Sequence, residues 1–201
     1  MTTAEKKREH RKLEILQSAK EVFAEKGFHA ASISDVIKRA GIARGTFYLY
    51  FTSKDAVLES ILDLAILELQ SRIIGVDVAE GAPPAVLLLH QNVSRVLEYM
   101  LADRALIQLI LNHGLPPDTT LAHRVDAFFG HVEELIESSL IYGMSVGLVR
   151  KCDAGLTAAQ ILGALRGGIR RLTKAQDDID VQPIASQLID FALRGVIVSK
   201  D

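Results

Sequence analysis

Residues 32–58 read SISDVIKRAGIARGTFYLYFTSKDAVL, and the segment 41–51 inside them, GIARGTFYLYF, holds four aromatic rings in five positions, Phe47, Tyr48, Tyr50 and Phe51. The whole 201-residue chain has only seven Phe and four Tyr. The segment divides at Gly41. Before it, Ser32-x-x-Asp35 is a capping-box start in which the Ser32 hydroxyl can accept from the Asp35 amide, with Asp in place of the usual Glu. After a turn of a few residues a second short helix is predicted over 44–51, and Ser53 is placed to cap a long helix reaching about residue 74. Two short helices joined by a tight glycine-containing turn and packed on a longer preceding helix make a helix-turn-helix.

Helical periodicity also decides which rings are core. Phe47 and Phe51 are four apart, share a face, and should pack toward Ile37, Ala40 and the first helix. The other face carries Arg44, Gly45, Thr46, Tyr48 and Tyr50. Two tyrosines beside an arginine exceed what packing a short helix requires, and double-stranded DNA accounts for them. Arg44 can contact a guanine in bidentate fashion, Thr46 can meet a thymine methyl, and Gly45 lets the backbone come close. Tyrosine hydroxyls donate to phosphate oxygens and so fix register. Ser32 and Ser34 at the start of one helix, and Lys54 at the start of the next, put a hydroxyl or a charge where helix N-termini attract phosphate.

Charge agrees with this division. Residues 1–55 contain eleven Lys or Arg against seven Asp or Glu, whereas residues 56–201 contain twelve against eighteen. The excess of positive charge therefore sits with the aromatic cluster, as a polyanion partner requires.

The block from Ser32 to Leu58 resembles the DNA-binding signature of TetR-family transcriptional regulators: a capped helix, a glycine, a Gly-Thr-aromatic-Tyr recognition helix, Phe, and Ser-Lys-acid opening the fourth helix. Carried over position by position, the resemblance implies DNA contacts from Ser32, Ser34, Arg44, Gly45, Thr46, Tyr48, Tyr50 and Lys54. It also implies a C-terminal helical domain that dimerises and holds a small effector. One departure is Ala43, where family members often have a capping Ser; its absence should cost about 1 kcal/mol at the start of the recognition helix.

The remainder is helical throughout, with no sustained period-two alternation. The expected fold is all-α: an N-terminal three-helix helix-turn-helix domain (residues 1–55), joined by a long fourth helix to a larger helical effector-binding and dimerisation domain (56–201). The first helix is expected over 8–25, with Ile15, Ala19, Val22 and Phe23 buried and Gly27 as terminator. Further helices are expected over 85–102, 104–113, 119–143, 157–176 and 182–198. Between them lie a Gly/Pro connector at 75–84 and breaks at 114–118, 147–155 and 177–180.

Within the C-terminal part, ILGALRGGIRRL puts small residues four apart, and glycine costs about 1 kcal/mol each in a helix interior. Gly163 and Gly167 are thus candidates for close approach between two subunits, joined by the apolar stripe Ile184, Leu188 and Phe191. A C2 dimer implies an approximately palindromic operator. Candidate effector contacts are His90 and Met100 near Val86, Val93 and Leu97; His113 below Leu106, Leu109 and Ile110; and Phe128, His131 and Tyr142 beside Leu135. The apolar character of these faces points to a hydrophobic or amphipathic small molecule.

Other classes find little support. GMSVG at 143–147 matches G-x-S-x-G, but a nucleophile elbow needs a preceding strand and a histidine later in the chain, and the last histidine is His131. No phosphate-binding glycine loop and no H-E-x-x-H is present. A single cysteine, Cys152, excludes an intrachain disulfide and a multi-cysteine metal site. No catalytic residue, cofactor or metal is therefore expected, and the absence of a secretory or membrane-spanning segment points to the cytoplasm. The reading that results is a homodimeric, ligand-responsive repressor; the alternative is a helix-turn-helix regulator whose C-terminal domain only dimerises or binds a protein, or an activator.

Overall fold

A computed structural model describes residues 2–73, 85–111, 120–173 and 181–196. Among them the chain forms α1 (Thr3–Lys26), α2 (Ile33–Ala40), α3 (Arg44–Tyr48), α4 (Lys54–Arg72), α5 (Ala85–Ala102), α6 (Arg104–Leu111), α7 (Thr120–Ser145), α8 (Ala154–Thr173) and α9 (Val181–Val196). The fold is all-α. No described helix is long and apolar enough to cross a membrane.

The described residues within Met1–Ala65 and Arg104–Asp126 form one compact unit, and those within Ile66–Asp103 and Ala127–Asp201 form a second. The division falls inside α4 and α7.

In the first unit α1 starts five residues earlier than periodicity predicts. The reason is a local cap: the Thr2 hydroxyl accepts from the Glu5 amide at 3.2 Å while the Thr2 amide donates to the Glu5 carboxylate at 2.7 Å. The helix stops at Gly27, whose φ of 79° suits a residue without a Cβ. Its inner face, Ile15, Leu16, Ala19, Val22 and Phe23, is buried. α1 packs on both α2 and α6. Phe28 closes the corner after α1, edge-on to Phe23 at 5.1 Å.

In the second unit α5 and α8 pack against α9. Leu97, Met100, Phe128, Phe129, Leu140, Leu162, Ile169 and Ile189 are buried there. Tyr99 lies under the Arg72 guanidinium at 4.3 Å. Burial first, then the charges of Asp103 and Glu68, push its hydroxyl up to about 12. Past the end of α7 the chain turns at Gly147, at φ 73°, and folds back onto Gly143, where a Cβ would stand 2.6 Å from a methyl of Val149.

Candidate nucleic-acid interface

The short helix α2 is held at both ends. At its start the Ser32 hydroxyl accepts from the Asp35 amide (3.2 Å) and donates to the Asp35 carboxylate (2.7 Å), and the Ser32 amide donates to the same carboxylate (2.9 Å). The Lys26 ammonium, from the end of α1, reaches the other carboxylate oxygen at 2.5 Å. Lys26 first, then the Ser32 donors, hold the Asp35 carboxyl well below the usual carboxylate range. At the far end Arg39 bridges back to Glu21 and Glu25 of α1. Gly41, at φ 62° and ψ 35°, then turns the chain in the left-handed conformation, and its amide bonds to the carbonyls of Ile37 and Lys38.

α3 follows, with Ala43 at its N-cap making no side-chain hydrogen bond. The α-helix ends at Tyr48, sooner than the predicted 44–51. The amides of Leu49, Tyr50 and Phe51 still bond back to carbonyls of Gly45, Thr46 and Phe47, so the winding continues to Phe51. Phe47 (0% exposed) and Phe51 (3%) lie 6.0 Å apart in the core.

Above this pair Arg44, Gly45 and Tyr48 are exposed, and Thr46 and Tyr50 are half-buried. A Cβ added at Gly45 would meet nothing within 4 Å. The Arg44 guanidinium lies 5.8 Å from the centre of the Tyr48 ring, which in turn stands edge-on to Phe47 at 5.4 Å. Buried rings thus fix the tilt of a short helix whose other side offers a cation, a hydroxyl-bearing ring and a bare backbone in one place. Ser34 is exposed on the first turn of α2.

Lys54 is placed differently from a solvent-facing lysine. Its ammonium donates to the carbonyls of Phe28 (2.6 Å), His29 (3.2 Å) and Ala31 (2.9 Å), and lies 4.5 Å from the centre of the Phe28 ring. All three donors are used on the α1–α2 connection, immediately before the Ser32 cap. Sequence reasoning placed Lys54 at a helix start and missed this clamp, because the carbonyls it finds carry no residue-type signal. It also passed over Leu49, which is 74% exposed between the two tyrosines; its apolar type on an otherwise polar face was the available signal.

The residues proposed for an effector differ in burial. His90 is half-buried on α5, with its Nε2 3.1 Å from the Ser186 hydroxyl of α9. Met100 and Phe128 are buried, while His131 and Tyr142 are exposed on α7. His113 lies outside the described residues; Leu106, Leu109 and Ile110, its expected neighbours, are buried in the first unit, where α6 packs on α1. Phe129, which was not singled out, carries the Arg166 guanidinium at 3.8 Å and stands edge-on to Phe128 at 5.3 Å.

Of the α8 glycines, Gly168 backs onto Leu188 of the same chain, with a Cβ-to-methyl spacing of 3.3 Å. Gly163 and Gly167 are exposed and face open space. Ile184 and Leu188 are half-buried, whereas Phe191 is 72% exposed. The G-x-S-x-G match falls on the C-terminal turn of helix α7, and its Ser145 hydroxyl donates to the Tyr142 carbonyl at 2.7 Å.

Residues 15–61 match the family model described as bacterial regulatory proteins, tetR family. Over 49 residues the chain is 59% identical to the HTH-type transcriptional regulator YvdT of Bacillus subtilis, an overlap of 24% of this chain and 25% of that protein. Two solved structures share the fold across nearly the whole chain. FadR of Bacillus subtilis in complex with stearoyl-CoA is 21% identical, with 91% of this chain and 98% of that one covered at a TM-score of 0.74. A triclosan complex of SmeT, the repressor of the Stenotrophomonas maltophilia multidrug efflux pump SmeDEF, is 19% identical, with 95% and 93% covered at a TM-score of 0.75.

Proposed function

Because the chain belongs to the TetR family of transcriptional regulators, we propose that it is a homodimeric repressor that reads a palindromic operator through α3 and leaves it when a hydrophobic or amphipathic effector binds the C-terminal part. One observation carries the DNA-reading half. Phe47 and Phe51 are sunk in the core while Arg44, Gly45, Thr46, Tyr48 and Tyr50 stand together on the opposite side of a helix short enough to enter a major groove. In this reading Arg44 and Thr46 meet base edges, and Tyr48, Tyr50 and Ser34 meet phosphates. Ser32, whose hydroxyl and amide both donate to the Asp35 carboxylate, meets one by turning its hydroxyl from that carboxylate to the DNA. Lys54 serves by bracing the connection that positions Ser32, with its helix-start charge still near the backbone. Residues 1–55 are the reader, and residues 56–201 hold the effector and the partner.

The dimer half rests on exposed apolar surface in a single chain. Gly163 and Gly167 on α8 and Phe191 on α9 all face solvent, which is what a pair of helices reserved for a second copy presents. The effector class rests on the apolar core of the second unit and on what two structurally similar proteins hold: a long-chain acyl thioester and a chlorinated aromatic both carry a large apolar body with a polar end. The proposed coupling is a population shift. The effector releases DNA only in so far as it prefers a conformation in which α4, the helix shared by both units, holds the readers at a different spacing.

A direct test titrates stearoyl-CoA and triclosan into the protein bound to a duplex selected by the protein itself. Repression relieved by effector predicts that at least one weakens the complex, by roughly 5- to 150-fold at saturation. A wider panel of apolar acids, thioesters and phenols that leaves affinity unchanged, with the dimer intact, would instead favour a C-terminal domain that only dimerises or binds a protein.

A further inference from the structure

Leu49 is the most exposed of the large apolar residues in the reader, at 74%, and nothing in the packing of the first unit requires it. A solitary surface leucine needs no explanation. This one has specific company. It stands four residues after Gly45 and three after Thr46, which places all three on one face of the α3 winding. Its amide bonds to the carbonyls of both, at 3.2 and 3.3 Å, so its backbone is fixed by the helix. Gly45 contributes no side chain and has open space over its Cα. Thr46 contributes a methyl. Between the polar groups of Arg44, Tyr48 and Tyr50 there is consequently a narrow apolar strip.

The major groove contains one strongly apolar base substituent, the C5-methyl of thymine. A helical rise of about 1.5 Å per residue puts Leu49 about 6 Å along the axis from Gly45, well within a groove about 12 Å wide. Both ends of the strip can therefore face bases at once. From this we infer that Leu49 is a specificity-determining residue that reads a thymine methyl, next to the base pair addressed by Arg44. The inference rests on the DNA-reading function proposed above and adds to it a base identity and a residue.

The test uses the full-length protein and duplexes it selects from a random pool. In the best duplex each thymine is replaced in turn by deoxyuracil, which removes only the methyl, and affinity is measured for the wild type and for Leu49→Ala and Thr46→Ser. Circular dichroism and the melting temperature of each variant establish that it is folded; Leu49 is exposed, so its truncation should leave both unchanged. The expected result is a thymine in each half-site at which the wild type loses about three- to tenfold in affinity. Leu49→Ala should bind the parent duplex correspondingly less well and be indifferent to deoxyuracil at that position; Thr46→Ser, which removes the other methyl of the strip, should weaken binding through a different thymine and keep the sensitivity at this one. A Leu49→Ala protein that keeps the full methyl dependence overturns the inference, as does loss of that dependence in Thr46→Ser alone, or a wild type insensitive at every thymine. Failure of the pool to yield any enriched sequence strikes at the DNA-reading function itself, an outcome distinct from those three.

Discussion

The reader and the second unit are built from the same kind of element and specified in different ways. α2 and α3 have eight and five residues, too few for either to persist alone, since isolated helices below about 12–15 residues are marginal in water. Each end must be held by a named contact: Ser32 with Asp35, Asp35 with Lys26, Arg39 with Glu21 and Glu25, Gly41 in its left-handed turn, Lys54 on three carbonyls. The helices of the second unit run to sixteen residues and more, and their stability comes from broad apolar faces that many side chains could supply. Short elements therefore leave residue-specific marks, while long ones leave a period.

That contrast can be broken most forcefully with two phenylalanines of the same volume. Phe47→Ala, at a site with no exposure, should cost about 3–5 kcal/mol and abolish the folded reader. Phe191→Ala, at 72% exposure, should leave subunit stability within about 0.5 kcal/mol and show itself in sedimentation as a weaker dimer. Equal effects on stability would erase the distinction.

The next largest effect is expected at Lys54. Lys54→Met removes three charge-assisted bonds and strands carbonyls of Phe28, His29 and Ala31, at a cost of about 1.5–3 kcal/mol, measured by chemical denaturation. If bracing is its main role, the slope of log affinity for DNA against log salt stays as in the wild type. A slope reduced by about 0.9 with unchanged stability would mark Lys54 as a phosphate contact instead.

Glycines sharpen the comparison within the second unit. Gly143→Ala drives a Cβ into Val149 and should destabilise by about 1–3 kcal/mol. Gly163→Ala meets open space and should stabilise an isolated subunit by up to about 1 kcal/mol, with any penalty confined to the dimer. Thermal melts at concentrations above and below dimer dissociation separate the two. In the reader, Ala43→Ser supplies the hydroxyl that the N-cap of α3 lacks and should add about 1 kcal/mol; no gain would mean that the α3 start is fixed by tertiary packing alone.

The smallest effect concerns acid. Asp35 has its carboxyl lowered by Lys26 and Ser32, so its contribution to stability is present above the ordinary carboxylate range, near 4, and fades as pH falls through the lowered folded-state value. Asp35→Asn should flatten the acid limb of the stability profile below about pH 4. An unchanged acid limb would show that the ion pair is solvated away.

The same physical difference explains what could be read in advance. Capped starts, Gly41, the Phe47–Phe51 pair and the polar face of α3 were legible because each has a residue type tied to a job. α1 was drawn too short because Thr2 and Glu5 lie upstream of any apolar periodicity. Lys54 could be located but its partners could not, since backbone carbonyls are invisible in a sequence. In the second unit α5 was found to the residue, at 85–102, whereas α8 starts at Ala154, three residues before the expected 157 and inside the expected break. The histidines and aromatics on apolar faces differ in burial and partner: His90 pairs with Ser186, His131 and Tyr142 face outward, and Arg166 stacks on an unremarked Phe129. Helical period assigns a residue to a face without saying what lies across from it.

The most direct test of the account is to select bound duplexes from a random DNA pool with the purified protein at near-physiological salt and to sequence them. A dimeric reader built on α3 predicts an enriched sequence with two-fold symmetry, its half-sites about one helical turn, 10–10.5 base pairs, or a small multiple of it apart. A bound pool with no enriched sequence, and an affinity set by salt concentration alone, would contradict it.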